Sequence, residues 1–174
     1  VFGWHELTNL VLPSMKARNK GRVIYISSVL GFVAMPFRGP YVASKFAIEG
    51  LVDTLRLELK QTKIKLSLVQ PGPIESKFRQ NAFFAFEENV DLSNSDYTRE
   101  YKTMIERLNS DKNAKFTLAP ESVLRCVLHA LESKVPKNHY RVTFPTKLFA
   151  FLCRILPSSW MDNILSRADN GDKD

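Results

Sequence analysis

Hydrophobic residues follow two different spacings along residues 1–70. In residues 5–18 and again in residues 41–60 they recur every three or four positions, which predicts two helices. Residues 23–27 are instead a short apolar run, which is typical of a strand buried on both faces. A second apolar run, residues 66–69, predicts another buried strand over residues 64–69. The order strand, helix, strand predicts a right-handed parallel crossover, and therefore an α/β fold.

The remainder of the chain predicts further helices around one short strand. The predicted helices cover residues 98–108, 120–133, 146–156 and 159–167, and the predicted strand covers residues 140–144. Neither an internal repeat nor a linker divides residues 1–168, so we expect a single domain. Residues 169–174 form a polar tail, which we expect to be mobile.

Phenylalanine residues concentrate in an irregular segment, residues 77–118. Phe78, Phe83, Phe84 and Phe86 precede an acidic and polar stretch. Two interpretations stay open at this point: the rings belong to the core, or they form a lid over an apolar pocket. The second interpretation predicts a lipophilic substrate.

Three polar side chains of complementary chemistry lie around the start of the second predicted helix. Tyr41 and Lys45 are four residues apart, and Ser28 lies thirteen residues before Tyr41. Residues four apart on a helix share a face, with Cβ atoms about 5–6 Å apart. An ammonium at that distance favours the phenolate form, so Tyr41 is suited to give a proton to a carbonyl oxygen or take one from an alcohol. The Ser28 hydroxyl can bind the same oxygen.

The position of these residues in the predicted fold strengthens the hypothesis. Tyr-x-x-x-Lys alone occurs by chance in many helices, with a half-buried tyrosine and a solvated lysine. Here Ser28 directly follows the first predicted strand, and residues 71–76 directly follow the second. Open α/β sheets bind ligands at the carboxyl ends of their strands. The sequence therefore predicts a ligand site at this edge of the sheet.

Three segments resemble the short-chain dehydrogenase/reductase family: ISS ending at Ser28, YVASK at 41–45 and PGPIES at 71–76. The resemblance is close over residues 1–80 and looser beyond them. It implies a Rossmann-like, doubly wound parallel sheet, of which this chain supplies the C-terminal half. We therefore expect about three strands with flanking helices.

The resemblance also implies a role for each of these residues. Ser28 polarises the substrate oxygen, Tyr41 donates or accepts the proton, and Lys45 assists Tyr41 and binds the nicotinamide ribose. The cofactor-binding residues implied in this way are Tyr41, Lys45, Pro71, Gly72, Ile74 and Ser76. The family usually has Thr at the position of Ser76, and the hydroxyl is retained here.

By the same resemblance we expect an NAD(P)(H)-dependent oxidoreductase that interconverts an aldehyde or ketone and an alcohol. The segments RGPYVASK, PGPI and FTLAPE look like a bacterial subgroup of NADP-dependent aldehyde reductases, and more distantly like hydroxysteroid and retinol dehydrogenases. NADP(H) is therefore favoured, with NAD(H) as the alternative. The family commonly forms dimers or tetramers through the helix that carries Tyr41. Leu51 and Leu55 fit either that interface or the sheet.

Two departures separate the chain from the family pattern. The seven glycines form no G-x-x-x-G-x-G, so the loop that cradles the cofactor phosphates has no counterpart here. The family's catalytic Asn would fall just before Val1. We therefore expect the chain to be the C-terminal part of a longer enzyme. The alternative is a truncated relative that has no turnover and acts as a binding or structural protein.

Composition narrows the possible partners. The net charge is +7, but the basic residues are scattered and no zinc-finger or RNA-recognition signature accompanies them, so nucleic-acid binding is disfavoured. Cys126 and Cys153 have no zinc-ligand spacing, and reduced cysteines predict a cytoplasmic protein. The apolar tract 148–157 is too short to span a bilayer. Membrane contact is therefore at most peripheral, through residues 144–156.

Overall fold

The computed structural model describes residues 1–92, 95–109 and 114–170. The helices are α1 (Phe2–Ala17), α2 (Gly39–Glu58), α3 (Phe78–Asn89), α4 (Thr98–Leu108), α5 (Glu121–Glu132), α6 (Phe144–Ile155) and α7 (Ser158–Asn170). The strands are β1 (Gly21–Ile26), β2 (Ile64–Gln70) and β3 (His139–Arg141).

The three described strands form one parallel sheet in the order β1-β2-β3. Gly21 pairs with Ile64 and Ile26 pairs with Val69, so β1 and β2 end together. At the same end, Gln70 pairs with Arg141 of β3. Because the strands are parallel, the segments that follow β1 and β2 leave the sheet at the same edge. This confirms the α/β architecture and places the two predicted site segments side by side.

The two faces of the sheet are covered by different helices. Successive side chains of a strand point to opposite faces, and Leu68 and Val69 of β2 accordingly belong to different clusters. Leu68 packs with residues of α1 and α2, including Leu12 and Val52. Val69 packs with Ala130 of α5 on the other face. Strands β1 and β2 are thus packed on both faces, which explains why apolar residues such as Leu68 and Val69 stand side by side in β2.

The core also decides between the two interpretations of the apolar residues on α2. Leu55 is buried in the cluster that contains Leu68, and Leu51 packs against that cluster. Both side chains therefore pack against the core between α2 and the sheet.

Most predicted elements agree with the observed ones to within three residues at either end. One was missed: residues 78–89 form helix α3 within the segment interpreted as irregular. The last strand is shorter than predicted, because residue 144 already begins helix α6. Helix α7 continues to Asn170, and the rest of the predicted mobile tail, residues 171–174, lies outside the described residues. Within the described part of the chain, no helix is sufficiently long and apolar to cross a membrane.

Candidate active site

The carboxyl ends of β1 and β2 are tied together directly. Ser28 follows β1 and caps a short 3-10 turn, Val29–Gly31, where its Oγ accepts a hydrogen bond of 3.1 Å from the Leu30 N–H. The N–H of Val29 donates to the Pro71 carbonyl oxygen at 2.8 Å. The segment that carries Ser28 therefore lies beside the start of the Pro-Gly-Pro turn, as the parallel crossover requires.

Helix α2 places Lys45 between Tyr41 and the end of β1. Its Nζ donates to the Ile26 carbonyl oxygen at 3.0 Å, two residues before Ser28. The same Nζ lies 5.6 Å from the centroid of the Tyr41 ring. A lysine ammonium within about 6 Å of an aromatic centroid is attracted by the ring. One side chain thus connects the tyrosine to the strand end that carries the serine.

Trp4 is a neighbour of Lys45 that the sequence did not reveal. Its ring centroid lies 5.0 Å from Nζ of Lys45, and its ring packs against Tyr25 of β1 at 6.1 Å between centroids. Trp4 belongs to helix α1, which is distant in sequence from Lys45. Only the packing of α1 beside α2 brings the two together, and no local motif could have indicated it.

Two opposing effects act on the charge of Lys45. Burial of the ammonium lowers the pKa of Lys45, since the charged form loses water. The carboxylate of Glu49, one helical turn further along α2, raises the pKa of Lys45 and partly offsets that loss. Glu49 was also missed by the sequence analysis. Its position four residues after Lys45, on the same helix face, was the available signal.

Glu49 lies under the turn that carries Ser28. Its Oε2 accepts a hydrogen bond of 2.8 Å from Nε2 of Gln70, the last residue of β2. A Cβ atom on Gly31 would stand 2.6 Å from the Ser27 Oγ and 2.9 Å from the Glu49 Oε1, so these two oxygens border the same point of the turn. Burial raises the pKa of Glu49. The carboxyl group therefore joins α2 to both strand ends beneath the candidate catalytic groups.

The segment after β2 is fixed at two points. The Leu118 N–H donates to the Pro73 carbonyl oxygen at 3.1 Å, and the Glu75 N–H donates to the Leu118 carbonyl oxygen at 3.0 Å, on either side of Ile74. At Gly72 there is no space for a side chain, because a Cβ atom would collide with the hydroxyl groups of Thr143 and Thr146 at the start of α6. These contacts hold the backbone of Pro71–Ile74 against the edge of the sheet.

Ser76 differs from the other predicted cofactor-binding residues. Its side chain is exposed, and its hydroxyl makes two long hydrogen bonds of 3.4 Å: it donates to the Ile74 carbonyl oxygen and accepts from the Phe78 N–H. The structure therefore places Ser76 at the rim of the site, two residues after the end of the fixed segment Pro71–Ile74.

Helix α3 begins over the ring of Tyr41; we call α3, α4 and their described flanks, residues 78–92 and 95–109, the lid segment. Phe78, the first residue of α3, packs edge-on against the Tyr41 ring, with centroids 5.6 Å apart. Neither α3 nor α4 contains a fully buried residue. The interpretation of these phenylalanines as fully buried core is therefore disfavoured, and Phe78 is the one that the structure shows in contact with Tyr41.

The lid segment also contacts the loop that leads into Tyr41. Phe37 adopts a left-handed backbone conformation with φ of 57°, which is uncommon for a bulky residue. Its ring is held edge-on by Tyr97 at 5.5 Å and by Tyr101 at 5.6 Å between centroids. Phe86 of α3 packs on the same Tyr101 ring at 5.5 Å. Aromatic contacts thus connect α3, α4 and the loop before the candidate catalytic helix.

Known proteins place this site within a family. The model of the short chain dehydrogenase family matches residues 1–85, which contain the candidate catalytic residues. The oxidoreductase YbbO of Escherichia coli, described as uncharacterized, is 42% identical over 94% of this chain and 55% of its own length. VdlC of Helicobacter pylori, a probable short-chain type dehydrogenase/reductase, is 34% identical over 94% of this chain and 58% of its own.

Solved structures support the same fold. A short chain dehydrogenase from Burkholderia cenocepacia, in complex with NADP, superposes with a TM-score of 0.66 at 20% identity, over 95% of this chain and 55% of that one. The chain spans about half the length of the curated relatives it matches. The matched residues, the parallel sheet and the segments at its carboxyl edge agree with one another, and the chain belongs to the short-chain dehydrogenase family.

Proposed function

We propose that the full-length protein is a nicotinamide-dependent oxidoreductase that interconverts a carbonyl compound and an alcohol. Tyr41 gives the proton to the carbonyl oxygen in reduction and accepts it in oxidation. The observation that supports this most strongly is the position of Lys45, whose Nζ lies 5.6 Å from the Tyr41 ring and is bonded to the end of β1 beside Ser28.

The chain's own residues divide the work of proton transfer. As the proton leaves Tyr41, negative charge develops on the phenol oxygen, and the nearby Lys45 ammonium stabilises it by Coulombic attraction. The Ser28 hydroxyl binds the substrate oxygen and so orients it for protonation. Phe78 packs on Tyr41 and excludes water from one side of the ring. A positioned acid of this kind contributes about 10²–10⁴-fold to the rate.

A nicotinamide cofactor fits the donors and the backbone at this edge of the sheet. The Lys45 ammonium has three N–H donors, and one is engaged by Ile26, which leaves others for ribose hydroxyls. The fixed backbone of Pro71–Ile74 offers a surface for the nicotinamide ring. When bound there, the cofactor supplies or accepts the hydride. Its phosphates have no glycine-rich cradle within this chain.

We propose NADP(H) as the preferred cofactor, with NAD(H) as the alternative. Support for NADP(H) comes from the resemblance to NADP-dependent aldehyde reductases, while solved structures of the same fold include complexes with NADP and with NAD. The aromatic cover formed by Phe78 and its neighbours supports a small lipophilic substrate. The family's usual assembly suggests a homodimer or homotetramer.

The proposal is tested by following NADPH oxidation by the purified full-length protein across panels of aldehydes, ketones and steroids. We expect turnover with lipophilic aldehydes and much slower turnover with NADH in place of NADPH. Cofactor binding by fluorescence titration without turnover on any panel member would contradict the proposed reaction. Absence of both cofactor binding and turnover would favour the non-catalytic alternative.

A further inference from the structure

Helix α6 exposes a continuous row of large apolar side chains. Phe144, Leu148, Phe151 and Ile155 are 57%, 40%, 60% and 57% exposed. Their spacing of four, three and four residues places all of them on one narrow face of the helix. We call this row the α6 stripe. Exposed apolar side chains are common singly, but a contiguous row of four is typical of an interaction surface.

The stripe is presented by a helix that is firmly attached to the protein. The opposite face of α6 packs through Phe149, Leu152 and Leu156 on a cluster that includes Val33, close to the turn after Ser28. At its start, the Thr143 hydroxyl accepts a hydrogen bond from the Thr146 N–H and caps the helix. The exposure of the stripe is therefore not a result of poor packing, because other residues of α6 already pack against the core.

One border of the stripe is basic. Lys147 and Arg154 are both exposed and lie seven residues apart, so they follow the same side of the helix next to Phe151. The sequence of α6, FPTKLFAFLCRI, contains no acidic residue. The chain as a whole carries a net charge of +7. This pattern, an apolar face beside a cationic edge, matches helices that lie in the interface of anionic membranes.

Two exposed aromatic residues lie near the two ends of α6. Phe116 is 58% exposed and packs against Phe144 with ring centroids 5.3 Å apart. Trp160, near the start of α7, is 62% exposed. Tryptophan is enriched at the boundary between lipid and water, because its ring is apolar and its N–H is polar.

We propose that the α6 stripe docks flat on the surface of an anionic lipid bilayer, with Lys147 and Arg154 directed to the lipid phosphates. The helix has 12 residues and is therefore about 18 Å long, well short of a bilayer's hydrocarbon core of about 30 Å. It lies on the membrane and does not cross it. This surface is independent of the proposed catalytic function, which uses Ser28, Tyr41 and Lys45.

A second copy of the chain is a poorer occupant of the stripe. If two α6 helices packed antiparallel on their apolar faces, the same flank of each helix would meet its counterpart. Lys147 and Arg154 of one copy would then face the same cations of the other, and like charges across an interface are unfavourable. An anionic surface satisfies the apolar row and its basic edge together.

The test is flotation of the full-length protein with lipid vesicles. We expect the protein to float with vesicles of phosphatidylcholine and phosphatidylglycerol, and much less with phosphatidylcholine alone. Leu148→Ser combined with Phe151→Ser should abolish flotation. Lys147→Gln combined with Arg154→Gln should weaken it about tenfold or more, since each basic residue near an anionic surface adds about 1 kcal/mol.

The matched control is Leu124→Ser combined with Leu128→Ser, on α5. These residues are 53% and 42% exposed, so the change removes similar apolar surface elsewhere on the protein. Flotation of this control should equal that of the unaltered protein. The proposal would be overturned if the α5 control lost as much flotation as Leu148→Ser combined with Phe151→Ser. Equal flotation of the unaltered protein with neutral and anionic vesicles would also overturn it. So would a wild-type protein that does not float but forms a dimer that the α6 changes dissociate.

A second measurement keeps the proposal testable if the α6 variants fail to fold. The chain contains two tryptophans, Trp4 and Trp160. Trp160 lies five residues after Ile155, the last residue of the α6 stripe. In a Trp4→Phe variant of the full-length protein, the fluorescence of Trp160 is the part of the spectrum that is lost on Trp160→Phe, and it reports on the surface next to the end of α6. Quenching of that signal by brominated phosphatidylglycerol vesicles is expected. Its absence at saturating lipid would contradict contact of this surface with the bilayer.

Discussion

Two regions form the candidate site, and they are held in place in different ways. The first, residues 21–74, is organised by the register of β1 and β2 and by hydrogen bonds from Val29, Lys45 and Gln70. The second, the lid segment, contributes no fully buried residue from α3 or α4 and contacts the first region through aromatic rings. The first region fixes chemical groups, whereas the second covers them.

This difference predicts how each region responds to change. Groups held by strand ends and hydrogen bonds have a single arrangement, so losing one removes a chemical function or strains the fold. Ring contacts between half-exposed helices are weaker and more adaptable. Altering them should affect which substrate binds, and how well, more than the chemistry itself.

The largest expected effect is the loss of activity caused by Tyr41→Phe, in the first region. The change removes the proton donor and keeps the ring that packs on Phe78, so we expect kcat/KM for aldehyde reduction to fall about 10²–10⁴-fold. NADPH binding, measured by fluorescence titration, should remain nearly intact. Tyr101→Phe in the lid segment removes a hydroxyl but keeps a packed ring, and should have a much smaller effect. Comparable losses in the two variants would remove Tyr41 from proton transfer.

A second prediction compares two glycines by thermal unfolding. Gly72→Ala should destabilise the protein by about 1–3 kcal/mol, because the new Cβ meets Thr143 and Thr146 in a packed region. Gly50→Ala, in the interior of α2, has open space around the new Cβ. There we expect stabilisation of about 0.5–1 kcal/mol. Equal effects at both positions would show that the segment after β2 is not held against α6.

The third prediction concerns the pH dependence of activity in Glu49→Gln. Burial lowers the pKa of Lys45, and the Glu49 carboxylate opposes this. Without that carboxylate, Lys45 loses its proton at a lower pH, so the alkaline limb of the kcat/KM profile should move to lower pH. Glu58→Gln, on the exposed end of the same helix, is the control and should leave the limb in place.

Stability gives an independent readout for the same variant. Because the pKa of Glu49 is raised in the fold, its contribution to stability is complete below the ordinary glutamate pKa and is lost as pH rises through the folded value. Glutamine has no such dependence. The free energy of unfolding of Glu49→Gln should therefore rise relative to wild type as pH increases from about 4 to 7. The other charged groups near Glu49 are Lys45, Asp53, His139 and Arg141. If the difference in free energy of unfolding between the two proteins stayed constant across that range, the raised pKa of Glu49 would be contradicted.

The smallest expected effect is the change in KM caused by Phe78→Ala, in the lid segment. Loss of the ring that covers Tyr41 should raise KM for lipophilic aldehydes several-fold, consistent with about 1 kcal/mol of lost apolar contact, and leave kcat less affected. Phe84→Ala is the control, since Phe84 is 61% exposed on the same helix and its ring packs on Phe83. If kcat fell as steeply as in Tyr41→Phe, the division between the two regions would be wrong.

The same division explains how much could be predicted from the sequence. Strands β1 and β2 were recognisable because both of their faces are packed, so apolar neighbours such as Leu68 and Val69 stand side by side near their carboxyl ends. Helix α3 could not be recognised in this way. Its residues bury no face fully, so no periodic apolar pattern marked it. The phenylalanines were noticed, but their role depended on packing against Tyr41.

Contacts between distant segments were also beyond sequence reasoning. Trp4 reaches Lys45 only because α1 and α2 cover the same face of the sheet. The tight fit of Gly72 depends on where α6 begins, about seventy residues further along the chain. Glu49 is intermediate, because its helical spacing from Lys45 was visible but its bond to Gln70 was not.

The central claim is that Tyr41 and Ser28 act on one substrate oxygen while Lys45 supports the tyrosine. The most direct test is a crystal structure of the full-length protein with NADP(H) and a non-reactive carbonyl analogue. We predict that Oη of Tyr41 and Oγ of Ser28 both lie about 2.6–3.2 Å from the analogue's oxygen. An analogue bound with its oxygen away from both hydroxyls, or with the two hydroxyls in separate clefts, would contradict the account.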